Sequence, residues 1–323
     1  MNDSWPKVYA VKHKDEEIRA ASRSGGMFSA LSDCVLEMDG AVYGCVLTKD
    51  FQAVHVRTDR KETRDKMRGS KYIQSRLGET YKEVKADLEE GREVLFSGTS
   101  CQVAGLRGFL GKEYGNLFCV DIVCHGVPSP YVWKRYLEWQ ENKAGSKAKE
   151  VSFRNKKDFG WRAHIETLVM ENEKRVDSDV FAALFYGHNI LRPSCYECPY
   201  KSTVHPGDMT MADYWGIDKA APEFSDDMGI SLVFVNRDKG VEYFEAVKDR
   251  VTWKCTRMED SMQPSLIAPY PKPDTRDRFW HDFRNKDFDY IARIYGRSSL
   301  KNKLKKKLAA VKRKLMCGKQ AVL

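Results

Sequence analysis

The chain has 323 residues, 42% hydrophobic and 31% charged, with a formal net charge of +9. That composition suits a folded protein with a buried core, and no apolar run approaches the roughly 18–20 residues of a membrane span. The excess charge lies in the tail, where Lys301 to Lys319 holds nine Lys or Arg and no acid; the body is near neutral, which argues against nucleic-acid binding by it.

In chain order, Val8-Tyr9-Ala10-Val11 predicts a short strand, and the Lys- and Glu-rich stretch after it suits a surface helix. The start of the chain, Met1-Asn2-Asp3-Ser4-Trp5-Pro6-Lys7, shows no basic flank followed by an apolar core, so no secretory signal is expected and a cytoplasmic location is the default. Ser24-Gly25-Gly26 forms a turn ahead of Met27, Leu31, Cys34, Val35 and Met38, which recur at helical spacing. Backbone N–H groups at such a helix start suit a phosphate or pyrophosphate, although a Gly-Gly pair also serves as a plain turn. Residues 42–47 and 53–57 are β-rich runs on either side of a polar turn, the pattern of a hairpin. Gly69-Ser70-Lys71-Tyr72-Ile73-Gln74-Ser75 is a small-residue loop with a cation and an aromatic ring, and alone it reads as a solvated loop.

Thr80 to Glu90 predicts an amphipathic helix closed by Gly91. Glu93 to Leu106 then reads strand, glycine turn, helix, with Cys101 at the helix start, where the dipole favours a thiolate. A second such unit follows: strand at Leu117–Val123, turn from Cys124 to Pro130, and a helix rich in aromatics (Tyr131, Trp133, Tyr136, Trp139). In α/β crossovers ligands collect at the carboxyl ends of strands, so two parallel strands would deliver Cys101 and Cys124 to one edge of one sheet. Cys34, Cys45 and Cys119 fall in apolar runs and read as core thiols.

Residues 140–150 read as a charged linker; 151–156, 160–162 and 163–170 as antiparallel strands; and 179–186 as a helix. A strand is predicted from Met209, with Asp208 just before it and Asp213 near its end, then a strand at 229–235 and a helix at 240–250. Four prolines between Pro264 and Pro273 mark the end of the core, and the aromatic segment 276–283 is expected to pack back on the body. A basic amphipathic helix with Leu or Val at 300, 304, 308, 311 and 315 ends the chain. It suits a solvated tail, or attachment to an anionic membrane surface or an acidic partner. The fold class is therefore α/β (mixed α+β): mainly parallel strand–helix units, an antiparallel portion and a basic C-terminal helix.

Nine cysteines, an odd number, argue against a disulfide framework in such a chain and favour a metal, a cluster or buried thiols. Cys195-Tyr196-Glu197-Cys198 is a chelating pair, since two thiolates on one tight turn reach the same metal or cluster. Cys101 and Cys124 are the candidates to complete it. A zinc site ordinarily pairs two such knuckles, whereas one knuckle plus two single cysteines is tolerated by an iron–sulfur cluster. A redox dithiol and four unrelated thiols also remain open on spacing.

Ser24-Gly25-Gly26, the run from Phe96 to Leu106, Val123-Cys124-His125-Gly126-Val127-Pro128-Ser129, Phe153-Arg154 with Gly160-Trp161, and Cys195-x-x-Cys198 with Gly207-Asp208 and Asp213-Tyr214-Trp215-Gly216 together resemble the beta subunit family of coenzyme F420 hydrogenase/dehydrogenase. The resemblance implies a flavoprotein oxidoreductase using FAD beside a [4Fe–4S] cluster. It implies Cys101, Cys124, Cys195 and Cys198 as cluster ligands, and Ser24, Gly25, Gly26, Lys71, Tyr72 and Thr99 as flavin contacts, with Asp208 and Asp213 shaping the site. It further divides the chain into an N-terminal family module (1–78), a C-terminal module with the iron–sulfur site (79–260), a Pro/aromatic extension (261–298) and the basic tail (299–323). The ferredoxin-like module of many relatives, Cys-x2-Cys-x2-Cys-x3-Cys-Pro, does not occur here. Electrons are then expected to pass to or from a separate redox partner protein, a ferredoxin, a reduced deazaflavin or the flavin's own substrate. Shorter relatives of this type look like accessory enzymes of surface polysaccharide biosynthesis, which would suit a protein held peripherally at the inner membrane face by its tail. No general acid or base is assigned; His125 reads as a hydrogen-bonded structural residue.

Overall fold

A computed structural model describes residues 5–296. The basic tail lies outside the described residues, as does Cys317. Among the described residues eleven strands form two sheets: β1 (Lys7–His13), β2 (Ala41–Leu47), β3 (Ala53–Thr58), β4 (Val94–Thr99), β5 (Leu117–Ile122), β6 (Ala148–Ser152), β7 (Glu166–Met170), β8 (Arg175–Ser178), β9 (Met209–Asp213), β10 (Ser231–Val235) and β11 (Val251–Thr256). The large sheet runs β11-β1-β10-β9-β5-β4-β2-β3, and the small one β6-β7-β8. β2, β4, β5 and β9 are parallel neighbours, flanked by antiparallel β3 on one side and β10, β1 and β11 on the other. The mixed α/β class read from the sequence is the one observed.

The parallel strands are apolar on both faces because both are covered. Alternation sends Leu95 and Phe118 to the face packed by the helices Met27–Glu37 and Asp238–Val247. Val94, Phe96, Leu117 and Cys119 go to the opposite face, under the helices Thr80–Glu89 and Ser100–Leu110. A third core is aromatic: Trp133 and Tyr136 of the helix Pro130–Ala144 meet Phe153, Phe181, Phe185, Phe279, Phe283 and Phe288. The aromatic segment after Pro273 thus packs back on the body, as expected.

Two local expectations are corrected. Residues 140–150 are not a linker: the helix continues to Ala144, stops at Gly145 (φ +68°), and β6 begins at Ala148. Buried Glu141 holds this corner, accepting from the Ala148 N–H at 3.0 Å and Lys147 Nζ at 2.7 Å. Residues 160–162 are not a strand either. Gly160 (φ +81°) turns the chain, a conformation a side chain rarely adopts, and Trp161 is buried in the loop. The first 78 residues supply β1, between β10 and β11, and β2 and β3, beside β4, so strands from before and after residue 78 share one sheet. No helix among the described residues is long and apolar enough to cross a membrane.

Candidate functional site

Parallel register fixes the centre of the site. Thr99 at the end of β4 lies opposite Ile122 at the end of β5, and Asp213 ends β9 on the same edge. A cleft of about 1590 Å³ opens there, beyond the roughly 300–1,000 Å³ of a drug-sized site. Eight arginine or lysine side chains line it (Arg23, Arg57, Arg68, Lys71, Arg76, Arg154, Arg162, Arg192) against three carboxylates (Glu79, Glu83, Asp213). The body is near neutral, but its cleft is positive and suits an anionic occupant.

Ser24, Gly26, Lys71, Tyr72, Thr99, Asp213, Cys101 and Cys124 all line this cleft. Their roles differ. Thr99 opens the helix Ser100–Leu110: its N–H donates to Gln102 Oε1 at 3.0 Å, and its Oγ1 lies 3.1 Å from Cys101 Sγ. Cys101, the second helical residue, is exposed. Lys71 Nζ donates to the carbonyls of Lys66, Met67 and Arg68 at 2.8–2.9 Å, so its charge is directed largely to backbone; burial pushes it down to about 8. Gly26 (φ +92°) caps the helix Met27–Glu37. Gly25 does not line the cleft: a Cβ there would come within 2.0 Å of the Val11 carbonyl oxygen, so its bareness serves close packing of the turn on β1. Ser24 Oγ donates to the Ile230 carbonyl at 2.6 Å, fastening the same turn to the start of β10.

Asp208 also stands apart. It precedes β9 at the amino edge of the sheet, about 16 Å of extended chain from Asp213. Its oxygens accept from Arg107 Nη2 at 2.8 Å and the Cys119 N–H at 2.7 Å.

The cysteine knuckle lies on a short 3-10 turn, Pro193–Glu197, ending at Cys198. The Val127 N–H donates to Cys195 Sγ at 3.4 Å, joining the knuckle to the loop that follows Cys124. The four thiols are within electrostatic reach: Cys124 feels Cys195 and Cys101, and Cys195 feels Cys198 and Cys101. Burial pushes the Cys124 thiol up to about 12, with Lys201 the chief opposing influence. Lys201 Nζ donates to the Cys124 carbonyl and feels the charges of Cys124, Cys198 and Cys195. Three of these free cysteines act on that one ammonium, and with Cys101 beyond them they are a donor set that fits a cluster bound by thiolates, whose net negative charge the lysine offsets. Among the described residues no three His, Cys, Asp or Glu side chains are gathered closely enough for one metal ion. A cluster asks for wider spacing, because each thiolate binds a different iron.

Around Cys124 the sequence reading left features unassigned. His125 Nε2 is 2.9 Å from His188 Nε2, and burial pushes His125 down to about 3. It is hydrogen-bonded, as expected, and it also lines the cleft. Cys45 lines the cleft as well, although its place in an apolar strand read as core; Cys119 is fully buried, as read. Arg154 and Trp161 carried part of the motif pattern without an assigned role. Both bond Asp213: Arg154 Nη1 donates to Oδ2 and Trp161 Nε1 to Oδ1, each at 3.0 Å. The signal that could have found them was the pairing of buried-type residues with a Gly160 turn.

A family model for the C terminus of the coenzyme F420 hydrogenase/dehydrogenase beta subunit matches residues 91–261, just over half of the chain. Among solved structures, a chain of the xenon-derivatised F420-reducing [NiFe] hydrogenase complex from Methanosarcina barkeri is similar, with a TM-score of 0.56 and 22% identity, covering 78% of this chain and 82% of that chain. At that identity the likeness speaks for the fold alone. No curated protein matches.

Proposed function

Since the chain belongs to the coenzyme F420 hydrogenase/dehydrogenase beta subunit family, we propose that it is an iron–sulfur flavoprotein oxidoreductase, with a [4Fe–4S] cluster on Cys101, Cys124, Cys195 and Cys198 and FAD in the adjoining cleft. What supports this reading is that Cys101 and Cys124 follow the carboxyl ends of β4 and β5 and line a cleft large and positive enough for a dinucleotide, with the Cys195 thiol tied to the loop after Cys124 by the Val127 N–H. When bound, the flavin would supply hydride exchange and the cluster one-electron transfer.

The chain's own residues do the rest. Strands β4 and β5 end two residues before Cys101 and Cys124 and bring both to one edge of the sheet, and Lys201 offsets thiolate charge. The arginines of the cleft wall hold anionic groups, while Ser24, Gly26, Tyr72 and Thr99 form the wall a flavin would lie against. Electrons reach or leave the cleft through a partner protein or a small carrier, and the exposed Cys101 is the ligand nearest to solvent.

Anaerobic purification tests the proposal. A brown protein whose broad visible absorbance is bleached by dithionite, holding about four irons per chain and releasing FAD on denaturation, is the expected result. Zinc without flavin would instead make the protein a non-redox, zinc-stabilised binding protein. Iron without flavin would make it an electron-transfer subunit that works through a cluster alone. The variant Cys198→Ala should abolish iron binding and Cys45→Ala should leave it intact; equal iron in the two variants overturns the ligand assignment.

A further inference from the structure

At the carboxyl end of β9 the charges do not balance. Asp213 Oδ2 lies 3.0 Å from Arg154 Nη1 and 3.6 Å from Arg23 Nη2, so one carboxylate serves two guanidinium groups. Arg154 is fully engaged. Its Nε donates to the Ala163 carbonyl at 3.1 Å, and its Nη2 to the Trp161 carbonyl at 2.9 Å. Arg23 is not. Its Nη2 reaches the Trp161 carbonyl at 2.5 Å, but its buried Nε and Nη1 have no hydrogen-bond partner among the described residues.

An unpaired donor on a buried cation costs more than one on a neutral group, and native proteins ordinarily satisfy it. Lys156, the next cation, does not relieve the imbalance. Its Nζ already donates to the carbonyls of Arg19 at 2.7 Å and Met228 at 2.9 Å. Burial, then Arg23 and Arg19, push it down to about 8, the mark of a positive local field. Arg23 itself lines the cleft with its side chain only 11% exposed. The corner is therefore desolvated, positive and short of acceptors.

We propose that Arg23 is the anchor of an oxoanion subsite in this cleft, taking the carboxylate or phosphate of the small molecule that exchanges electrons there. Assigning the anion to that substrate rests on the flavoprotein reading; the anion subsite itself rests on Arg23 and its surroundings. A carboxylate or phosphate offers acceptor oxygens to Nε and Nη1, and its charge supplies what Asp213 alone cannot. The rival occupant is the diphosphate of the flavin, because the Ser24-Gly25-Gly26 turn follows Arg23 directly in the chain.

Calorimetric titration of the full chain, purified anaerobically with whatever it carries, with inorganic phosphate and separately with acetate at constant ionic strength, decides the matter. The expected result is saturable binding of at least one anion to the wild type, and the tighter of the two names the chemistry. Arg23→Gln should weaken it roughly tenfold or more, the usual effect of losing a hydrogen bond to a charged group. Arg23→Lys should recover part of it, with flavin and iron contents unchanged in both. Equal affinity in the wild type and Arg23→Gln, or no saturable binding of either anion to the wild type, overturns the proposal. So does loss of flavin with the arginine, which would place Arg23 on the flavin diphosphate. If the glutamine variant does not fold, Asp213→Asn decides: removing the competing carboxylate should tighten phosphate binding, and unchanged or weaker binding counts against the subsite. A wild type that lacks flavin yet binds phosphate through Arg23 would keep the subsite and sink the proposed function.

Discussion

The two ends of β9 carry two aspartates that look alike in sequence and differ in everything around them. Asp208, at the amino edge, is buried and closed off, and its partner Arg107 also binds the Pro206 carbonyl and Glu113. Asp213, at the carboxyl edge, faces two arginines, one of them with unpaired donors, on the wall of a large cleft. A carboxylate whose cation is satisfied on every side is holding the fold together; one that leaves positive charge over is preparing a place for something else. That contrast, more than the presence of an aspartate, separates framework from site.

The strongest way to break the contrast is at its closed end. Asp208→Ala leaves Arg107 short of a buried partner and the Cys119 N–H unsatisfied, which should cost about 3 kcal/mol, the lower part of the range for breaking a buried pair, because Arg107 keeps Glu113. Denaturant titration should show that loss while iron and flavin per folded chain stay at wild-type levels. Loss of cofactor without loss of stability would move Asp208 into the site.

Glu166 tests the rule from the other side, as a buried carboxyl that forms no ion pair among the described residues. It accepts from Tyr136 Oη at 3.0 Å and the Phe181 N–H at 2.9 Å, and burial pushes it up to about 7 from 4.5. The folded state therefore holds this proton more tightly than the unfolded chain. Its stabilising contribution is full below about pH 4.5 and is lost as pH rises to about 7. His55 and His164 work in the opposite sense: burial pushes each down to about 4, so their contribution is lost as pH falls from 6.5 to about 4. Subtracting the stability curve of Glu166→Gln from that of the wild type isolates the carboxyl. The difference should fall by on the order of 2 kcal/mol across that window; a flat difference would mean that Glu166 ionises normally.

Much of the frame was legible because it is local. Strand, glycine turn and helix recur at 93–106 and 117–130, and the observed parallel register sets Cys101 and Cys124 on one edge as that grammar required. What was not legible depends on distant partners. Asp208 and Asp213 are told apart by Arg107 and Arg154, 101 and 59 residues away. The helix runs on through 140–144 because buried Glu141 pins the following turn, and β11 is an edge strand exposed along most of its length, with no alternation to read. Trp161 looked like part of a strand and is a loop residue, held by Asp213. Arg23 was passed over altogether, because nothing in its neighbours along the chain shows that its donors would be buried.

Asp213→Asn is the smallest and most discriminating change. The amide oxygen can still accept from Trp161 Nε1, and the side chain keeps its volume, so packing is preserved. What disappears is the one negative charge between Arg23 and Arg154, whose side chains are 11% and 3% exposed. If Asp213 were a framework residue like Asp208, that loss would appear as instability of several kcal/mol. If instead the corner is already short of negative charge, a bound oxoanion takes over the role of the carboxylate. Stability in phosphate buffer should then fall by no more than about 1 kcal/mol, and the deficit should grow when phosphate is replaced by chloride at equal ionic strength. Thermal unfolding in the two buffers measures it. A deficit that is large and indifferent to phosphate would make the two ends of β9 the same kind of place.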